Sequence, residues 1–383
     1  MLETVMTAAY TPNALLKLTK AVLPPLVAAC LMLAAYAVAV HASGSPFFAI
    51  DTWFKWDGGH YFDIAHTGYK LIDCAGIPGF HPGQWCGNSA WFPGYPYLVR
   101  AVHRLTGVDT KLVAVIVSQI FAVLSLMLVW NVFLSRRNLP LLMLCAFAPG
   151  TYYFLVIFPM SMAMCFMLIT LWAQRQQDSL MVLLAGTVVG FTYPSGMWLT
   201  GVLGSSLLFE HWRGRRPPPL AWLAVAGPAF GFCLLLLEHH LTLGAWNAFF
   251  LNQEKYKLGI NDPAAVLRER FTSIWGWKPG WQAGFQGLTA AVLVLIGTVS
   301  TARAVWRRKD QPGDVALAVH GLTYWLFPLV IGGGLSLFRS ESLLVPAVTG
   351  LQRIPRLAVV VLLLAAITIW IIMATEFARG RLI

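Results

Sequence analysis

FKWDGGHYFDIAHTGY, residues 54–69, stands just beyond the apolar run AVLPPLVAACLMLAAYAVAV at 21–40, and the contrast between the two decides the fold. The run carries no charge over twenty residues. About 20 apolar residues suffice to cross a hydrocarbon core of roughly 30 Å, because a helix rises about 1.5 Å per residue. It has no convincing cleavage site behind it, so it reads as a retained first span. Further such stretches follow. They must be helices, since a backbone polar group left unpaired in lipid costs several kcal/mol, and the runs are too long and continuous for barrel strands. The whole chain of 383 residues agrees: 58% hydrophobic, 11% charged, with a mean hydropathy of +0.67. An average soluble domain carries about 25% charged residues.

The net charge of +11 invites a nucleic-acid reading, but the arginines fall between apolar spans and no basic domain is present to meet a phosphate backbone. Membrane topology accounts for them, and no nucleic acid is expected as a partner. A span at 112–134 stops at Arg136-Arg137, which marks the cytoplasmic side, so the preceding loop, 42–111, lies outside. Residues 140–174 read as two short helices broken near Phe158-Pro159, and 180–209 as a hairpin turning at Tyr193-Pro194-Ser195-Gly196. Arg213, Arg215 and Arg216 are inside; a span at 220–241 leads to a second external loop, 242–287. Spans at 288–303 and 315–338 flank the inside cluster Arg307-Arg308-Lys309 and place Arg339 outside. A short helix at 342–351, inside arginines Arg353 and Arg356, and a last span at 357–374 complete the count. The expectation is an all-α polytopic membrane protein of about 10–11 membrane helices, several too short to cross alone, with a helical first external loop. No repeat or soluble domain is visible, so residues 1–383 read as one transmembrane domain.

The first loop holds Asp51, Asp57, Asp63, Asp73 and Asp109, five of the sixteen acids in the chain, which marks it for chemistry or recognition. It also holds Cys74 and Cys86, which suit a disulfide if the loop faces an oxidising compartment. Residues 54–69 together with WFPGYP at 91–96 resemble the PIG-V family of glycosylphosphatidylinositol mannosyltransferases and its bacterial relatives, within the GT-C membrane glycosyltransferases. That family carries a WD-x-x-x-Y/F-x-x-IA-x-x-GY motif after its first helix and FFP-x-YP shortly after. The segment from Ala148-Pro149-Gly150 to Phe158-Pro159-Met160-Ser161, GAWNAFFLNQEKY at 244–256, and Phe338-Arg339-Ser340 with Pro346 extend the resemblance along most of the chain. Two positions depart from it: Met160 stands near the family's carboxylate and Tyr193 where it has an arginine.

The resemblance implies a GT-C bundle that moves a sugar, mannose by the family, from a polyprenyl-phosphate donor to a hydroxyl of a lipid-linked or surface glycan acceptor. The membrane is the bacterial cytoplasmic membrane, or the endoplasmic reticulum in a eukaryote, with the site on the extracytoplasmic side. Asp57 matches the family's acid. Physically, the acceptor hydroxyl must lose its proton as the new bond forms, and one positioned carboxylate can take it. Inversion needs no covalent intermediate, so a second carboxylate is not required. The alternative for Asp57 is an N-cap on a helix starting at Gly58. Asp63, six residues on, points away by roughly 240° at 100° per residue and suits solvent or Lys70. Asp51 remains open as a cap or an acceptor contact. The departing phosphate calls for cations at headgroup level, for which Arg339, Lys255 and Lys257 are placed.

Trp56, His60, Tyr61 and Tyr95 from the first-loop motif, with Gln253 and Tyr256 from the second loop, are the expected substrate contacts. For Trp56, Trp91, Phe92 and Tyr95, stacking on a sugar and packing the loop both stay open. His60 and His66 lack the i, i+3 or i, i+4 spacing of a shared metal face, and no metal is expected. No cofactor is expected either, since no phosphate-binding glycine fingerprint opens a helix of a soluble domain. Two rivals remain: a transporter or flippase of lipid-linked sugars, for which Glu238 and His239-His240 are the polar residues near a span, and an acyltransferase using His320. The topology has a direct check. A Lys55→Cys variant in intact cells should react with a membrane-impermeant maleimide, and protection until the cells are opened inverts the assignment.

Overall fold

The computed structural model describes residues 12–134, 138–256, 259–275, 280–307, 313–331 and 337–381. Arg136, Arg137, Lys257, Arg308 and Lys309 therefore lie outside the described residues. Helix α1 (Pro12–Ser43) runs unbroken through Pro24-Pro25. The first loop folds into α2 (Ile50–Trp53), α3 (Gly58–His66), a two-stranded antiparallel hairpin of β1 (Leu71–Asp73) and β2 (Trp85–Gly87), and α4 (Gly94–Thr106). A Cys74–Cys86 disulfide closes the hairpin. Helix α5 (Thr110–Leu128) starts where Asp109 accepts from the Lys111 and Leu112 amides, and continues as a wider turn, Val129–Phe133.

A group of shorter helices follows: α6 (Leu139–Ala146), α7 (Met160–Arg175), α8 (Ser179–Thr192), α9 (Leu199–Trp212), α10 (Pro219–Ala224) and α11 (Gly227–Leu243). The helix breaks anticipated near Phe158-Pro159 and Tyr193-Pro194 are both present, one between α6 and α7, the other between α8 and α9. The span expected over 220–241 is interrupted instead. Gly227-Pro228 opens α11, because proline's missing N–H costs nothing in a first turn but cannot extend α10. Helices α12 (Ala248–Glu254) and α13 (Pro263–Trp275) lie in the second loop, and α14 (Trp281–Trp306) begins seven residues before the expected span at 288. Then come α15 (Asp314–Ile331), α16 (Leu337–Ser340), α17 (Val345–Thr349) and α18 (Arg356–Ala378).

Among the described residues, α1, α5 with its wide turn, α14, α15 and α18 are long and apolar enough to cross a membrane. A sixth span results if α11 and α12, bent by 92° at their junction, are taken as one. The chain is thus an all-α polytopic membrane protein. Helix α7 is buried on nearly every side, from Met160 through Met164 to Leu171, the pattern of a helix enclosed by others. Helices α8 and α11 pack backbone to backbone. A Cβ on Gly190 would lie 1.8 Å from the Pro228 carbonyl oxygen, and one on Gly231 would lie 2.1 Å from that of Thr187. Lipid offers no hydrophobic drive between helices, so close contact through small residues supplies the attraction. Gly190→Val should therefore destabilise the bundle by about 1–3 kcal/mol, read as a lower melting midpoint in detergent; an unchanged midpoint would contradict the apposition.

Candidate functional site

Asp57 occupies the N-cap position of α3, yet its side chain makes no capping hydrogen bond. The backbone around it explains the difference. Trp56 sits in the left-handed region at φ 52°, uncommon for a bulky residue, and its ring is 42% exposed. Asp57 itself has helical backbone angles, and the Gly58 and Gly59 amides already donate to the Lys55 and Trp56 carbonyls, so its carboxylate forms an ion pair with Arg339 instead of a cap. Both side chains are about three-quarters buried.

A buried, largely irregular segment between α6 and α7 brings these two residues together. On one side the Ile157 amide donates to the Trp53 carbonyl at 3.1 Å, and Gly58 lies so near the Ile157 carbonyl that a Cβ would sit 3.1 Å from it. On the other, Gly150 at φ 78° admits the Arg339-bearing turn; a Cβ there would come within 2.3 Å of the Phe338 carbonyl oxygen. Glycine is required at that position by conformation and by space. The Trp370 indole, donating to the Thr151 hydroxyl at 3.0 Å, ties the segment to the last span.

Burial alone would push the Asp57 carboxyl up. The charge of Arg339 opposes it, joined by hydrogen bonds from the Trp91 indole and from Arg339, and the net direction is below the usual carboxylate range. Asp57 is therefore ionised at neutral pH. His60 is pushed down, mainly by burial, and stacks on Trp91 with ring centroids 3.5 Å apart. It stays neutral and adds no competing charge. Tyr193 hydrogen-bonds Arg339, and Tyr153 and Tyr61 lie within its electrostatic reach.

The second loop closes on the same place. Buried Asn252 donates to the Ser89 hydroxyl at 3.1 Å, and Ser89 donates to the Ala248 carbonyl at 3.0 Å, pinning α12 beside Trp91. This brings Lys255 close enough for its charge to act on His60, and Tyr256 close enough to feel Asp57 and Arg339. Partial burial lowers the Lys255 pKa. Its ammonium lies 5.1 Å from the Tyr256 ring centre and 5.5 Å from that of Phe80. Gln253 is half-buried on α12.

The remaining expected residues divide. Tyr61 is buried edge-on to Tyr95 and Phe158. Tyr95 is 1% exposed, and its hydroxyl donates to the Ala114 carbonyl at 2.7 Å with the Ser118 hydroxyl at 2.9 Å, so of its two readings it takes packing, as does buried Phe92. Asp63 is exposed, and exposed Asp51 lies 3.8 Å from Lys111. Glu238 accepts from the Tyr97 hydroxyl, and His320 is buried against Met167 and Tyr324. Sequence reasoning passed over a second buried pair two residues from Arg339. Glu341 binds Arg270 of α13 at 2.9 Å and Gln286 of α14 at 2.6 Å, and Gln286 also donates to the Phe338 carbonyl. The available signal was the acid itself, since an ionisable residue in an apolar stretch demands a partner.

No family model matches the chain, and no curated protein does either. Its likeness is to solved structures of an Archaeoglobus fulgidus oligosaccharyltransferase. The form in complex with Zn and sulfate superposes with a TM-score of 0.52 at 12% identity, over 93% of this chain and 53% of that one. The apo form gives 0.50 at 13% identity over 92% and 56%. The enzyme AglB in complex with an inhibitory peptide and a dolichol-phosphate gives 0.50 at 12% over 91% and 56%. The chain thus spans little more than half the length of these structures. What they share with it is the fold, that of the GT-C glycosyltransferases.

The ion pair sets a pH signature. With its pKa lowered by folding, Asp57 contributes stability above its unfolded value of about 3.9, lost as the pH falls through the folded value. In Arg339→Gln burial prevails, the folded pKa rises above the unfolded one, and stability is lost instead as pH rises through it. The melting-temperature gap between wild type and this variant should be widest near neutrality and narrow below about pH 4; a constant gap would mean that the pair carries no such coupling.

Proposed function

We propose that this chain is a PIG-V-like glycosyltransferase which moves a sugar, mannose by the resemblance, from a polyprenyl-phosphate donor to a hydroxyl of a lipid-linked or surface glycan acceptor. The site faces the extracytoplasmic side, and residues 1–383 act as one transmembrane domain. The observation that carries the reading is the meeting of Asp57 and Arg339, 282 residues apart in sequence, with Lys255 close by. The GT-C fold supports it.

The chemistry follows from the charges. The donor's phosphodiester carries one negative charge and competes with Asp57 for Arg339. As the phosphate engages that guanidinium, the pull on the carboxylate weakens and Asp57 becomes a better base. The acceptor oxygen attacks the anomeric carbon from the face opposite the phosphate and passes its proton to Asp57. The bond from anomeric carbon to phosphate oxygen breaks, and polyprenyl phosphate leaves with a second negative charge. Arg339 and Lys255 stabilise that charge in a site shielded from water. Inversion results. Trp56, His60, Gln253 and Tyr256 line the approach of sugar and acceptor, while Tyr61 and Tyr95 hold the loop that carries them. The isoprenoid tail lies between helices open to the bilayer, where each buried methylene contributes about 0.8 kcal/mol.

A transfer assay with synthetic polyprenyl-phosphate mannose and a panel of lipid acceptors tests this. Wild type should turn over, and Asp57→Asn should lower kcat about 10²- to 10⁴-fold, whereas Lys255→Met should chiefly raise KM for the donor. Undiminished turnover in Asp57→Asn removes the assigned base; absence of transfer by the wild type with every acceptor removes the donor class.

A further inference from the structure

At the end of α14 remote from Asp57 the structure contains a cleft of about 670 Å³ that the proposed reaction does not use. Gln286, near the other end of α14, touches the Arg339 turn. Arg303 lies seventeen residues further on, about 26 Å along the helix axis. The cleft is therefore on the opposite side of the membrane from the ion pair.

Its lining has two parts. At the membrane-surface end stand Arg303, Arg307 and Arg353, with Ile354 beside Arg353; deeper along α14 lie Leu295, Ile296 and Val299. Ile296, Val299, Arg303 and Arg307 follow one another at intervals of three and four residues, with Ser300 beside Val299, which sets them along one face of α14. The Ser300 hydroxyl donates to the Gly350 carbonyl at 3.2 Å and fixes this face against the turn that carries Arg353. Among the described residues no acid belongs to the lining. Asp314, the partner of Arg353, is buried and engaged by Arg175 at 3.8 Å and Arg353 at 2.5 Å. The Arg353 Nη1 has no partner among the described residues. Trp306 beside the cleft is 89% exposed, as an aromatic of the membrane interface would be.

We propose that this cleft binds an anionic phospholipid of that leaflet, with its phosphate against Arg303, Arg307 and Arg353 and one acyl chain along Leu295, Ile296 and Val299. Three guanidiniums, with no carboxylate among the described lining residues and Asp314 shared between Arg353 and Arg175, select a negative headgroup, and their forked donors suit phosphate oxygens. Length decides between a lipid and free phosphate. From Arg307 to Leu295 is about 18 Å at roughly 1.5 Å per residue, close to the ~15 Å depth of one leaflet's hydrocarbon. A free phosphate leaves that apolar floor empty.

The test is titration of the full chain, purified in neutral detergent, with dioctanoyl phosphatidylglycerol, followed by tryptophan fluorescence. Parallel titrations use dioctanoyl phosphatidylcholine and inorganic phosphate. Saturable binding of the anionic lipid is expected, weakened roughly fivefold per arginine removed, hence on the order of 25-fold in Arg303→Gln/Arg307→Gln. Arg353 is left intact because it holds buried Asp314. Val299→Trp, which fills the apolar floor and keeps all three charges, should also weaken the lipid while retaining the wild-type melting profile. Equal binding of the two lipids, phosphate binding as tightly as phosphatidylglycerol, or undiminished affinity in either variant would overturn the proposal.

Discussion

A charge taken out of water into a low-dielectric interior must meet an opposite charge, and in this protein that requirement fixes the stretch from 337 to 353. Three ion pairs hold it. Arg339 meets Asp57 of the first loop, Glu341 meets Arg270 of α13, and Arg353 meets Asp314 at the start of α15. Desolvation makes a lone buried ion cost several kcal/mol, so each pair constrains both of its segments. The result is a short, irregular run of helical turns, unable to span a bilayer, that is nevertheless fixed at both ends.

The segment between α6 and α7 supplies the other half of the frame. Its backbone is buried with only a single tight helical turn, Thr151–Phe154, a condition tolerated at membrane depth only inside protein. It satisfies part of its hydrogen bonding through Trp53 and Trp370, and Gly150 lets it touch the Arg339 turn. The acid and the arginine are thus aligned by a common wall. Two long spans meeting by chance would not position them as well, since their ends move with every tilt of the helices.

Electrostatics then separate the two ends of α14. One end abuts the Arg339 turn, where two carboxylates are each balanced by an arginine, Asp57 by Arg339 among aromatic rings and Glu341 by Arg270. The other end has an excess of arginine over acid and an apolar floor, which suits a resident lipid rather than a reacting one. One helix therefore connects two arginine-bearing environments of different kinds: at one end Asp57 balances Arg339, while at the other Arg303 and Arg307 add charge beyond the Arg353–Asp314 pair.

The amino-acid sequence by itself determined the solvent and the class of fold, because the length of an uncharged run measures hydrocarbon thickness whatever the run packs against. It also singled out Asp57, Arg339 and Lys255, by the position of an acid in a recognisable motif and of cations beside apolar runs. Their association was beyond it: contact across 282 residues depends on how the intervening helices pack. Local pattern likewise suggested an N-cap at Asp57, whereas the folded carboxylate pairs with Arg339 and makes no cap. Tyr193 and Glu341 joined the site through tertiary structure alone, as did the withdrawal of Tyr95 into the interior. A side chain's type states what it can do, while its burial and its partner decide what it does, and those are properties of the packed bundle.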